Sequence, residues 1–154
     1  MSAPTKSSKT GRYRHHDELS ALPNCPAAVS GNFSGLAYRA VYGASPSAES
    51  FMPYALKHPD LYAAAAEGVR CKHWSLSMYE KKASLHDMIA RMTKASKNYR
   101  QLVGDHCATL KLSAADGRRT AASHSGHFSF YEFDSWDSKA AVQLVEPLPD
   151  EESP

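Results

Sequence analysis

The sequence contains no apolar run approaching the ~20 residues that a membrane-crossing helix requires, and this absence sets aside the membrane-spanning class. It also lacks an internal repeat, a Gly-rich phosphate loop, a GxSxG elbow, a helical HExxH and a helix-turn-helix signature, so no common motif declares an activity. Cysteine is scarce. Cys25, Cys71 and Cys107 form an odd set without CxxC spacing, which argues against a disulfide framework and for a reducing compartment. The opening Met1–Lys9 is rich in Ser and Lys and has no apolar centre, so it does not read as a secretory signal and a cytoplasmic location is expected.

What is present is ordinary for a globular chain: 154 residues, 42% hydrophobic and 22% charged. That length buries a core without metal or disulfide support and suits one domain. The formal net charge of +2 hides an uneven distribution. Residues 1–16 carry Lys6, Lys9, Arg12 and Arg14 without an acid, whereas 146–154 carry Glu146, Asp150, Glu151 and Glu152. Residues 1–35, rich in Ser, Pro, Gly and Asn, read as a flexible basic leader, and 147–154 as an acidic tail. Both termini are expected to be disordered around a single α+β domain spanning 36–146.

Within that domain the first strand is Leu36–Tyr42, with Arg39 in its middle and Gly43 as its stop. Ser-Pro, Met-Pro and His-Pro steps then shape a long loop, with a helical turn at Tyr54–Lys57 and a two-turn helix over Asp60–Glu67. Cys71–Tyr79 alternates, placing Trp74, Leu76 and Met78 on one side and His73, Ser75, Ser77 and Tyr79 on the other. Lys81–Leu102 has the clearest helical period, with Leu85, Met88, Ile89, Met92, Tyr99 and Leu102 in one stripe. Further strands are expected at Asp105–Leu112, Phe128–Phe133 and Ala141–Val145. The fold class that follows is α+β: a small mixed, mainly antiparallel sheet packed by one long amphipathic helix. Trp74, Leu76, Leu85, Met88, Ile89, Met92, Leu110 and Phe130 are expected to share its core.

Several residues could carry chemistry. A mid-strand Arg39 either snorkels to water or presents its rigid fork to a phosphate or carboxylate. The row His73, Ser75, Ser77 and Tyr79 is either the solvent side of the sheet or the floor of a pocket. Strand geometry turns His127, Ser129 and Tyr131 one way and Phe128, Phe130 and Glu132 the other, so Glu132 and His127 are not expected in one pocket. Eight histidines invite a metal reading through Cys71/His73, His106/Cys107 and His124/His127, but none has the spacing of a zinc site, and no metal is expected. Cys107 or Cys71 as a thiolate nucleophile has as little local support. The Lys81–Arg100 segment carries Lys81, Lys82, Arg91, Lys94, Lys97 and Arg100 against Asp87 alone. Arg91, Lys94, Lys97 and Arg100 fan away from the apolar stripe, a face suited to a protein partner, an anionic ligand or nucleic acid.

Leu36-Ala-Tyr-Arg-Ala-Val-Tyr42, His73-Trp-Ser-Leu-Ser-Met-Tyr79 with its following helix, and His106-Cys-Ala-Thr-Leu-Lys-Leu112 together resemble small uncharacterised bacterial proteins. More distantly they resemble ADP-ribosyltransferase-like domains, including the RES-type toxins. The resemblance covers residues 36–133. It implies a toxin or defence role and a first strand bearing Arg or His. It further implies a second strand bearing Ser or Tyr before a helix, a polar residue on a late strand, and NAD bound in a cleft between two small sheets. On this sequence it implies Arg39 on the pyrophosphate, with Ser75 or Ser77 and Tyr79 on the nicotinamide ribose. Glu132 or a histidine would then stabilise the developing positive charge, and His73 and His127 would line the ligand. The alternative is a non-enzymatic accessory module that docks a protein partner or nucleic acid through helix 81–100.

Overall fold

A computed structural model describes residues 11–149. Lys6 and Lys9 of the basic leader and Asp150, Glu151 and Glu152 of the acidic tail lie outside the described residues. The chain forms a mixed α/β structure around one antiparallel sheet of seven strands. In chain order these are β1 (Val29–Ser30), β2 (Ser34–Val41), β3 (Leu76–Tyr79), β4 (His106–Ser113), β5 (Gly117–Thr120), β6 (His127–Glu132) and β7 (Val142–Pro147). Their spatial order is β1-β5-β6-β3-β2-β4-β7.

The sheet has a weak seam. β2 and β4 pair over eight residues from Ser34↔Ser113 to Val41↔His106, and β3 and β6 pair over four from Leu76↔Phe130 to Tyr79↔His127. Between β2 and β3 the ladder is reduced to Tyr38↔Tyr79. Past that pair the strands part, and Arg39 of β2 reaches both Ser77 of β3 and Ser50 of the segment that follows β2. That segment contains a 3-10 turn at Ala48–Phe51 and α2 (Tyr54–Lys57).

Alternation along the strands gives the sheet two apolar faces. Ala37, Val41, Leu76, Met78, Ala108, Leu110, Leu112, Phe128 and Phe130 point to one, where Phe51, Trp136 and Ala141 cover them. Ala141 ends α7 (Ser138–Ala141), which Asp137 caps by accepting from the Lys139 and Ala140 amides. The other face is covered at two places. Tyr79 and Cys107 lie under Leu85 and Ile89 of α5 (Lys82–Ala95). Tyr131 lies under Leu19 of α1 (His16–Ser20), Ala55 of α2, and Cys71 and Trp74 of α4 (Glu67–His73) and its cap. α3 (Pro59–Ala64) joins α2 to α4.

The structure departs from the sequence expectations in the long helix, the Cys71 strand, the termini and the cysteines. The single helix over Lys81–Leu102 is two, because the chain is extended at Ser96 and restarts as α6 (Tyr99–Val103) after Asn98. Ser, Lys and Asn in succession give the break, Ser and Asn being weak helix formers. Met92 and Leu102 face solvent, and the expected common core divides between the two faces of the sheet. Gly104 at φ 115° ends α6 where a Cβ would collide with the Val41 backbone, which seats this helix against the end of β2.

The strand expected from Cys71 begins only at Leu76, since Glu67–His73 is helical. The leader expected over 1–35 is packed from residue 11 onward. Tyr13 bridges Phe133, β1 pairs with β5, and Leu19 is buried, so the structured unit starts well before residue 36. At the other end Leu148 is buried, its amide donates to the Asp105 carbonyl, and Arg100 holds the carbonyls of Leu148 and Pro149. Finally, Cys25 and Cys71 form a disulfide across a sequence separation of 46, which removes the cysteine argument for a reducing compartment. Cys107 is free and buried, and burial pushes its thiol up to about 11. No described helix is long and apolar enough to cross a membrane.

Candidate functional site

The expected site residues fall on different sides of the sheet. Arg39 shares its face with Ala37 and Val41, and Glu132 shares the same face with Phe128 and Phe130. Ser77, Tyr79 and His127 point to the opposite face. Arg39, Ser77 and Glu132 therefore do not converge in one cleft.

Arg39 is engaged internally. Its Nε donates to the Ser50 carbonyl and its Nη1 to the Ser77 carbonyl, each at 2.9 Å. These bonds span the gap where β2 and β3 part and tie the 3-10 turn to both strands. Burial draws the guanidinium down to about 10, against the opposing pull of Glu132. The residue is a stitch in the seam rather than an open anion clamp, and it lies on a central strand, not an edge.

Glu132 is almost fully buried. Among the described residues neither carboxylate oxygen has a hydrogen-bond partner, and Arg14 places Nη1 3.9 Å from Oε2. Burial pushes the carboxyl up to about 7, with Arg14 and Arg39 pulling the other way. A group held inside the opposite core cannot reach a ligand above Ser77.

His73 and Ser75 also leave the expected row. α4 carries His73 to an aromatic cluster, 4.6 Å from the Tyr54 ring and 6.0 Å from that of Tyr62. Ser75 is buried and its hydroxyl donates to the Lys72 carbonyl at 2.7 Å, closing the end of α4.

Ser77, Tyr79 and His127 do come together. Ser77 is exposed on β3 between buried Leu76 and Met78, and its Oγ lies 2.6 Å from His127 Nε2. The pairing Tyr79↔His127 and Ser77↔Ser129 puts Ser77 diagonal to His127, within side-chain reach. The Tyr79 ring meets the imidazole edge to face at 5.3 Å and sits under α5. Burial, aided by the Lys72 cation, lowers the pKa of His127 and so favours the neutral ring. Burial raises the Tyr79 phenol to about 12 against a lowering pull from Arg91. The charges of two cations, Lys72 from α4 and Arg91 from α5, thus act on this row. Sequence periodicity did not reveal either one there, because both sit on helices whose placement over the sheet is a tertiary fact.

Arg91, Lys94 and Lys97 are exposed and make no ion pair or hydrogen bond with other described residues. Arg100 is removed from that set by its bonds to the chain's last described carbonyls. Among the described residues no three His, Cys, Asp or Glu side chains gather as a metal would require. Cys71 is disulfide-bonded, and His106 Nδ1 lies 2.7 Å from Asp105. A separate open cleft of about 430 Å³ lies between the 3-10 turn, α2 and α6, lined by Tyr42, Glu49, Lys57, His58 and Gln101 among others. Searched against protein-family models, curated proteins and solved structures, the chain matches none.

Proposed function

We propose that the chain is an NAD-binding, ADP-ribosyltransferase-like domain of bacterial toxin or defence type, with its ligand over the face that carries Ser77, Tyr79 and His127. The observation that carries this reading is the parted seam between β2 and β3, beside which those three side chains meet. The resemblance implied two small sheets with a cleft between them, and the sheet here divides into β1-β5-β6-β3 and β2-β4-β7 around one residue pair. Lys72 and Arg91 supply positive charge for a pyrophosphate, in place of the internally committed Arg39. His127 takes the role that Glu132 cannot fill, and Ser77 offers the hydroxyl for a ribose.

Calorimetric titration of NAD and of ADP-ribose into the full chain tests the reading. Binding to the wild type, weakened at least about tenfold in Lys72→Glu and in Ser77→Ala, is the expected result. No heat with either ligand removes it.

A second reading rests on the exposed cations of α5 and its C-terminal flank. Arg91, Lys94 and Lys97 form an exposed basic surface, which would make the chain an accessory module docking an acidic protein partner. Retention of such a partner by the NAD-silent protein would favour this second reading over the first.

A further inference from the structure

We propose that Ser77 is a nucleophile with His127 as its general base, competent to accept an acyl or phosphoryl group from an activated ester-like electrophile. Ser77 Oγ and His127 Nε2 are 2.6 Å apart, within the reach required for direct proton transfer. β3 fixes the hydroxyl, since Leu76 and Met78 on either side are buried, and it presents Ser77 to solvent. β6 fixes the base, and the Tyr79 ring packed against the imidazole at 5.3 Å sets its orientation. In the neutral ring with its proton on Nδ1, the hydroxyl donates to Nε2, the direction that general-base attack needs. No carboxylate lies within 4 Å of His127 among the described residues, so this is a pair and not a triad. The inference does not depend on dinucleotide binding, because nothing in this geometry involves NAD.

The step balances without a redox partner. With diisopropyl fluorophosphate, the Ser77 Oγ–P bond forms and the P–F bond breaks. Fluoride leaves with the bonding electrons, and the hydroxyl proton passes to His127 Nε2 and on to water. Ser77 and Tyr79 from β3 touch His127 and the charge of Lys72 from α4 acts on it, and the phenol, held near 12, stays protonated below pH 8.

The experiment treats the full chain, without NAD, with diisopropyl fluorophosphate and quantifies the adduct on each serine by peptide mass spectrometry. Ser77 is expected to label at least about a hundredfold faster than exposed Ser96, and His127→Gln to remove most of that advantage. In the wild type the Ser77 rate should rise with pH and level off, its midpoint below the ordinary histidine value of 6.5. This second readout holds even where the variant fails to fold. Labelling of Ser77 at the rate of Ser96, or a Ser77 rate that is still rising above pH 8 as for an unassisted hydroxyl, overturns the proposal.

Discussion

The guanidinium of Arg39 donates to the carbonyl of Ser77 at 2.9 Å, across the gap where their strands have ceased to pair. The peptide groups at this seam thus find in a side chain the partner that a continuous ladder would have supplied. Replacing Arg39 by Lys keeps a charge and loses the fork, leaving the Ser50 and Ser77 carbonyls short of donors. The expected cost is about 3 kcal/mol of stability, read as a lowered denaturant midpoint. An unchanged midpoint accompanied by lost anion binding would reinstate the clamp role.

Glu132 predicts a pH dependence of stability. Its folded value of about 7 exceeds the ordinary 4.5, so between these values the folded protein holds a proton that the unfolded chain has released. Stability from this group is full below pH 4.5 and declines as pH rises toward 7, by about 3 kcal/mol in all. Glu132→Gln should abolish this decline and stabilise the protein at pH 8. Denaturation midpoints of both proteins between pH 5 and 8 check the sign.

The disulfide links the segment after α1 to α4 and closes a loop with a sequence separation of 46. Chain entropy sets its contribution at about 4 kcal/mol. Thermal unfolding with and without a reductant should show that loss, and Cys25→Ala/Cys71→Ala should resemble the reduced wild type. Equal stability in both states would show that the contacts of Leu19 and Trp74 alone hold this region.

Charge reversal of Arg91, Lys94 and Lys97 to Glu should leave the domain folded, because all three face solvent. Denaturant midpoints within about 1 kcal/mol of wild type are expected. Binding to any acidic partner should weaken in the variant and, for the wild type, weaken as salt rises and shortens the Debye length. Unfolding of the variant would show that this face is covered.

Local pattern sufficed where a single period governs an element. The alternation over Asp105–Leu112 and the aromatic run Phe128–Phe133 located β4 and β6, and strand geometry put His127 and Glu132 on opposite faces. The Leu85 and Ile89 spacing located the buried side of α5. The same reasoning failed at Cys71–Ser75, where alternating residues belong to a helix end pinned by Cys25.

What the sequence determined by itself was therefore the α+β class, most of the longer strands, α5, and the face toward which each β6 side chain points, all properties of neighbours within a few residues. The tertiary structure alone decided that residues 11–35 join the sheet, that Arg39 stitches the seam, and that Ser77 meets His127. Those partners lie 38 and 50 residues apart, and no local period encodes a hydrogen bond between two strands until packing brings them together.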